Sequence, residues 1–533
     1  MMQPSRSSGQ CAALILAMCA LPAALHAQDA RPTRAPTVAE DLQMFSQVFN
    51  QIRVNHPDSM DTHALFIAAV EGMVSAADPH SYVLPAARLA PDAERAWREG
   101  RLVPVPITFR MIGGAPVVVS VAPGTAASAQ DILPGDELIR IGESPVTAAS
   151  AMELDITLAG AKGSTVTIEL ERHRVDGSLV RLTRQVSRER PDDDAITGVP
   201  AAFMLDDGIG YVRVTTFAAA NVERDLRDAL EKLEKNALQG VVLDLRDNGG
   251  GLVSEAAGVA STFLPNGAIV YTTEGRKAAL VDTMRVKRSF WRSERRYPIV
   301  LLVNEGTASA AELVAGALQD HDRAFVVGRP TFGKALMMQG FPLTDGSMVM
   351  LVVGTIRTPC GRSVQRDYQA TSRRGYYRAA SSSAAQVPDE QYACTTNGGR
   401  TVYGGGGIFP DVVLPPAPEP PLWLSRVNEA ALPLSWAGGY VEANTAAWSE
   451  PHVLEQEQVA HVAVADFRRY AEAQGVAIPA TAEADALLRA TLLPRLAGIR
   501  FGRAAPYMLV KEDAEIARAV AEVRNAAALI GAQ

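Results

Sequence analysis

The sequence predicts an α/β core that carries an inserted, mostly-β domain, with helical units at both ends of the chain. Three patterns point there. After residue 208, nearly continuous apolar runs such as 241–245 and 299–303 alternate with segments of helical period, as buried parallel strands and their crossover helices do. Between residues 103 and 188 short alternating segments are punctuated by Gly124, Pro134-Gly135-Asp136 and Gly142, the pattern of a small barrel. At either end, apolar residues recur every three or four positions. A chain of 533 residues that is 47% hydrophobic and 21% charged has ample material for three or four domains of about 100–200 residues each. Its net charge of −8 comes without any basic run, which argues against a nucleic-acid partner. No fixed-period repeat is present, so solenoids and propellers are excluded.

Taken in order, residues 1–27 read as a cleavable export signal: Arg6, an apolar run over 11–25, then Leu25-His26-Ala27 before polar residues. The expected location is periplasmic. Cleavage would leave Cys360 and Cys394, a pair expected to bridge in an oxidising compartment. Residues 28–95 form a helical unit with Leu42, Phe45, Val48, Phe49 and Ile52, then Leu65, Ile67, Val70 and Met73, on apolar faces. It closes with Asp78-Pro79-His80-Ser81. Residues 96–190 make the small β domain, with strands expected at 107–111, 117–121, 138–141 and 166–172. Residues 191–415 make the core, with strands at 210–214, 241–245, 299–303, 325–327 and 348–353, and a turn at Asp345-Gly346. A helix over 222–233 turns Leu226, Leu230 and Leu233 to one side. After the proline-rich stretch 415–421, residues 416–533 read as a helical unit, clearest at Ile516, Val520 and Val523.

Three segments fall at strand ends, where open α/β sheets place their ligands. Asp244 to Leu252 runs from a buried strand into Gly249-Gly250-Gly251, a loop whose amides could face a developing anion or simply make a tight turn. Asn304 to Leu313 puts Ser309 at a strand-to-helix junction, yet Ser309-x-x-Glu312 is also a helix capping pattern. Thr331 to Lys334 places a lysine in a charge-poor stretch, where burial would lower its pKa, or where it is simply solvated. No Cys/His cluster has metal-site spacing, and neither a metal nor a cofactor is expected.

As a set, the glycine loop, Ser309 and Lys334 resemble the tail-specific, or C-terminal processing, serine peptidase family. The likeness extends to Asp78-Pro79-His80-Ser81, Gly210-Tyr211-Val212, Gly316-Ala317-Leu318-Gln319-Asp320, residues 358–365 (Thr-Pro-Cys-Gly-Arg-Ser-Val-Gln) and Gly407-Ile408-Phe409-Pro410-Asp411-Val412. Residues 122–127 and 132–139 look like the centre of a PDZ domain, a module that takes protein C-termini as an added strand. Pro104 and Pro106 remove amide donors just before its first strand. The resemblance implies Ser309 as nucleophile, Lys334 as general base and the amides of Gly250 and Ala310 as the oxyanion hole. The implied substrates are exported or envelope proteins, recognised and cut near their C-terminal tails. A homodimer and an activating adaptor are left open.

Two positions depart from the pattern. The family's orienting glutamine four residues after the lysine is here Met338, so the resemblance passes the orienting role to Gln339, which a strand turns to the other face unless a bulge intervenes. Cys360 stands where serine is commoner, and pairs in this reading with Cys394 across an insertion of about 30 residues, well within the length that a disulfide usefully closes. His80, His173 and His321 read as structural; His321 lies a helix length from Ser309, about 18 Å, too far for proton transfer. The rival function is an inactive PDZ-bearing scaffold that binds tails.

Overall fold

The computed structural model describes residues 37–84, 99, 101–112, 114–146, 151–191, 197–287, 294–344, 347–369, 373–380, 387–509 and 513–531. The expected export signal and the turn at Asp345-Gly346 lie outside them. Two compact units result, residues 1–70 and 71–533. In the first, Val38–Asn55 is a helix capped by Thr37 and Glu40, but it buries none of its side chains, so its apolar face is left exposed. Phe45 meets Phe66 edge-on at 6.4 Å.

The centre of the second unit is a six-stranded sheet. Its order is Val412–Val413, Phe325–Gly328, Ile299–Val303, Gly240–Asp244, Ile209–Arg213 and Ala201–Met204, parallel except for the last strand. From Ile209–Arg213 onward the chain adds each new strand on the same side of the previous one. Right-handed crossovers then put the helices Val222–Glu234, Val253–Phe263 and Ala310–Asp320 on one face of the sheet. Alternate residues of the strands pack there, among them Val241, Leu243, Ile299 and Leu301. The opposite residues, Val242, Val300, Leu302 and Val327, are covered by Ile516, Ala519 and Ala526 from the last two helices, Ala514–Ala521 and Val523–Gly531.

That covering divides the expected C-terminal unit. Helices Leu422–Glu429, Leu432–Asn444, Glu457–Ala473 and Ala482–Phe501 pack around their own core of Trp436, Tyr440, Phe467, Leu488 and Leu492. The final two helices belong instead to the sheet, because its second face has no crossover helix of its own.

A second, antiparallel sheet is built on the long strand Met348–Arg357. That strand pairs with Tyr82–Leu84, Leu336–Pro342 and Ile269–Gly275. The inserted β domain is an antiparallel sheet ordered Ile107–Ile112, Ala115–Val121, Glu137–Ile141, Thr165–His173 and Leu179–Ser187. The helix Ala151–Leu158 sets Leu154 and Leu158 into its core. No described helix is long and apolar enough to cross a membrane.

Candidate active site

Three loops leave the C-terminal ends of adjacent strands of the central sheet and meet at one cavity of about 310 Å³. Ser309, Ala310, Glu312 and Lys334 line it together with Gly251, Val253, Leu313, Leu336, Met338 and Ile356. Most of this wall is apolar. Ser309 ends the loop after Ile299–Val303 at φ 57° and ψ −118°, a backbone conformation that costs a non-glycine residue strain and that the surrounding structure must enforce. It sits immediately before the helix Ala310–Asp320, whose eleven residues are buried. Ala310 opens that helix, so its N–H has no intrahelical acceptor.

Glu312 joins the two loops. Its carboxylate, fully buried, accepts the N–H of Ser309 (2.8 Å) and of Lys334 (2.8 Å), the N–H of Gly333 (2.7 Å) and the hydroxyl of Thr331 (2.6 Å). Burial pushes Glu312 up to about 7 against these four donors, which favour its charged form. The capping pattern read from the sequence is therefore present, but the same carboxylate also fixes the lysine loop. Burial lowers the pKa of Lys334, opposed by the carboxylates of Glu312 and Asp78.

The glycine loop behaves differently from expectation. Gly250, at φ 94°, packs so close to Ser309 that a Cβ would lie 2.9 Å from that of the serine. Its N–H, however, donates to Oδ1 of the buried Asn248 (2.9 Å). Gly251, rather than Gly250, lines the cavity, so of the two expected oxyanion donors only Ala310 does. Gln339 is exposed and outside the cavity. A register shift does occur between Met337 and Met338, but Met337 pairs with Gly354 and Met338 with Val352, so the extra residue, Val353, is on the partner strand and does not re-aim Gln339. Met338 faces the site instead.

Cys360 and Cys394 form a disulfide with Cα atoms 6.2 Å apart. His173 lies on a strand of the inserted domain, and His321 caps the helix Ala310–Asp320 at its far end, its Nε2 2.7 Å from the carbonyl of Ile269. His80 is the exception among the three histidines. It is buried beside the lysine loop, and burial, together with the Lys334 charge, lowers it to about 4 against the pull of Asp78. The motif that carries it is folded on itself: Asp78 accepts the N–H groups of His80 and Ser81 and the Ser81 hydroxyl. Among the described residues no cluster of His, Cys, Asp or Glu is placed to hold a metal ion.

The model of peptidase family S41 matches residues 208–370, and the PDZ domain model matches residues 106–183. A carboxy-terminal-processing protease of Bartonella bacilliformis is 31% identical over 330 residues, 61% of this chain and 73% of the relative. The chain belongs to the carboxy-terminal-processing proteases of peptidase family S41. Its relatives include a chloroplastic carboxyl-terminal-processing peptidase of Arabidopsis thaliana, 35% identical over 47% of this chain and 48% of the relative. A carboxy-terminal processing protease of Bacillus subtilis is 28% identical over 62% and 68%. This S41 peptidase thus carries its PDZ domain ahead of the catalytic core, and the family match ends within the loop that the Cys360–Cys394 disulfide closes, leaving the rest of that loop and the C-terminal helices beyond it.

Proposed function

We propose that this chain is an exported serine endopeptidase in which Ser309 is the nucleophile and Lys334 the general base. The observation that carries the reading is the placement of both side chains on one largely apolar cavity, with Glu312 holding the backbone of each. A lysine whose burial lowers its pKa has a neutral amine available nearer to working pH. Neutral Lys334 takes the Ser309 hydroxyl proton as Oγ bonds to the scissile carbonyl carbon. The tetrahedral oxyanion is met by the Ala310 N–H and, once it turns away from Asn248, by the Gly250 N–H. The lysine proton then passes to the leaving amine as the C–N bond breaks, and water, deprotonated by the same lysine, releases the acyl group.

The apolar lining favours an uncharged side chain beside the cut bond. The PDZ domain supports substrates presented as C-terminal tails, and the Cys360–Cys394 bridge, with the export signal expected at residues 1–27, supports an oxidising compartment, with envelope or exported proteins as substrates. The test is digestion of casein by residues 28–533 of the wild type, Ser309→Ala and Lys334→Ala, with fragments read by mass spectrometry. Cleavage by wild type alone, with both variants folded, is expected. Equal cleavage by all three would remove the serine-lysine assignment, and equal inertness with retained tail binding would favour the scaffold.

A further inference from the structure

Lys334 lacks an orienting side-chain amide on the strand Leu336–Pro342 that follows it. Met338 stands where the resemblance places glutamine, and Gln339 is exposed. The polar groups of its backbone are nonetheless held from three directions. Glu312 takes the N–H of Gly333 and of Lys334. Gln365 Oε1 accepts the N–H of Ala335 (2.9 Å). The Tyr376 hydroxyl donates to the Gly333 carbonyl (3.1 Å), which also accepts the Arg366 N–H (2.9 Å), and accepts from Gln365 Nε2 (3.1 Å).

Tyr376 comes from the helix Arg373–Ala380, inside the loop that the Cys360–Cys394 disulfide closes. That helix has eight residues, too few to be stable alone in water. Among its residues, only Tyr376, 1% exposed, and Ala380 are buried. The Tyr376 ring meets His80 edge-on at 4.8 Å and Phe332 at 6.1 Å. Through Tyr376 this helix is therefore docked against the loop that carries the lysine and against His80.

We propose that Tyr376, delivered by the disulfide-closed insertion, is a positioning residue for Lys334. The inference rests on the serine-lysine reading above. The hydroxyl fixes the Gly333 peptide, and the ring, with His80, keeps water from the lysine stem. Charged and titratable groups reach this place from every neighbouring element: Glu312 from the nucleophile helix, Asp78 and His80 from the loop before the first strand, Tyr377 and Arg373 from the insertion helix. Arg366 lies on the Tyr376 side and bonds the Phe332 carbonyl. Loosening the loop admits water, which lets the ammonium form compete at higher pH.

The experiment measures kcat/KM against pH for the full chain on a quenched peptide built around the main casein cleavage, for wild type, Tyr376→Phe and Tyr376→Leu. Tyr376→Phe is expected to lose about tenfold in kcat with KM within about twofold, the scale of one lost hydrogen bond. Its acid limb should move to higher pH, and Tyr376→Leu should show the larger change in both. Folded variants with the wild-type pH midpoint, or with a change in KM alone, overturn the proposal. Should the variants not fold, wild type reduced with a thiol and still folded supplies the same comparison: the acid limb must rise, and an unmoved midpoint overturns it. Ser309→Ala and Lys334→Ala run alongside. Activity in either would overturn the proposal through the reading it rests on, an outcome distinct from an unmoved midpoint in active Tyr376 variants.

Discussion

Lys334 illustrates how a buried lysine weighs on stability. Burial disfavours its charged form, so its folded-state pKa lies below the ordinary lysine value of 10.5. For a group shifted in this direction, the associated stability is present above 10.5 and is lost as pH falls through the lowered value. At neutral pH the lysine is therefore a liability that an uncharged side chain of similar length would not be. Lys334→Met should abolish peptide hydrolysis while raising Tm at pH 7, with the gain shrinking as pH approaches 10.5. Thermal melts of both proteins between pH 6 and pH 11 check this, and a difference that does not vary with pH would contradict it. The same logic predicts that kcat/KM of the wild type rises with pH along a limb centred below 10.5.

At the scale of the element, the helix Ala310–Asp320 does more than present a serine. Its third residue, Glu312, spans to the lysine loop, so the first turn of one helix positions both chemical groups. Four donors fill the acceptor sites of this carboxylate. Glu312→Gln would turn an NH2 group toward buried donors and leave at least one unsatisfied, at a cost of about 1–3 kcal/mol. The expected result is a folded protein with lower Tm and kcat reduced at least tenfold, measured by calorimetry and peptide hydrolysis. Unchanged kcat would reduce Glu312 to a helix cap. Short-range pattern made much of this helix and its neighbours legible: the apolar runs at 241–245 and 299–303 lie on the strands Gly240–Asp244 and Ile299–Val303, and Leu226, Leu230 and Leu233 do face the core. It also placed Ser309, Lys334 and the glycine loop at strand ends. Elsewhere local pattern was silent. The strand Leu179–Ser187 buries only Val186, so its alternation is masked by arginines, and the eight-residue helix Ala151–Leu158 is too short for a period to stand out. The groups packed around His80 beside the lysine loop were hidden for another reason. His80 and Tyr377 approach within 3.3 Å across 297 positions of sequence, and no spacing rule reaches that far.

For the molecule as a whole, the question is what fixes the PDZ domain and the C-terminal helices against the catalytic core. The last helices are tied by charge as well as by apolar contact. Arg246, which follows the strand leading to the glycine loop, bonds the buried Asp244 and reaches Asp513 and Glu515, while Arg329, before the lysine loop, bonds Glu305 and Glu515. Both loops of the site thus lean on the C-terminal segment. The PDZ domain is held by backbone contact. On the helix Leu432–Asn444, Gly438 lies so close to the domain that a Cβ would stand 2.3 Å from the Pro134 carbonyl oxygen, and one on Gly439 2.2 Å from that of His173. From the other side, a Cβ on Gly135 would stand 2.4 Å from the Leu434 carbonyl. Glu442, on the same helix, pairs with Arg172 and Arg174. Three glycines in one contact allow two backbones to touch, and any side chain there must push them apart. Gly438→Val should therefore detach the PDZ domain while leaving the core of the helical unit intact, since the glycine faces outward from it. Overpacking of this kind costs about 1–3 kcal/mol, enough to populate the released form of an interface of modest size. Limited trypsin digestion should then free a fragment containing residues 106–183 well before the remainder is cut, with scattering showing a larger radius of gyration than wild type. If the two proteins are cut at the same rate and scatter alike, the helix Leu432–Asn444 does not hold the domain, and the PDZ position must be set by its contacts elsewhere.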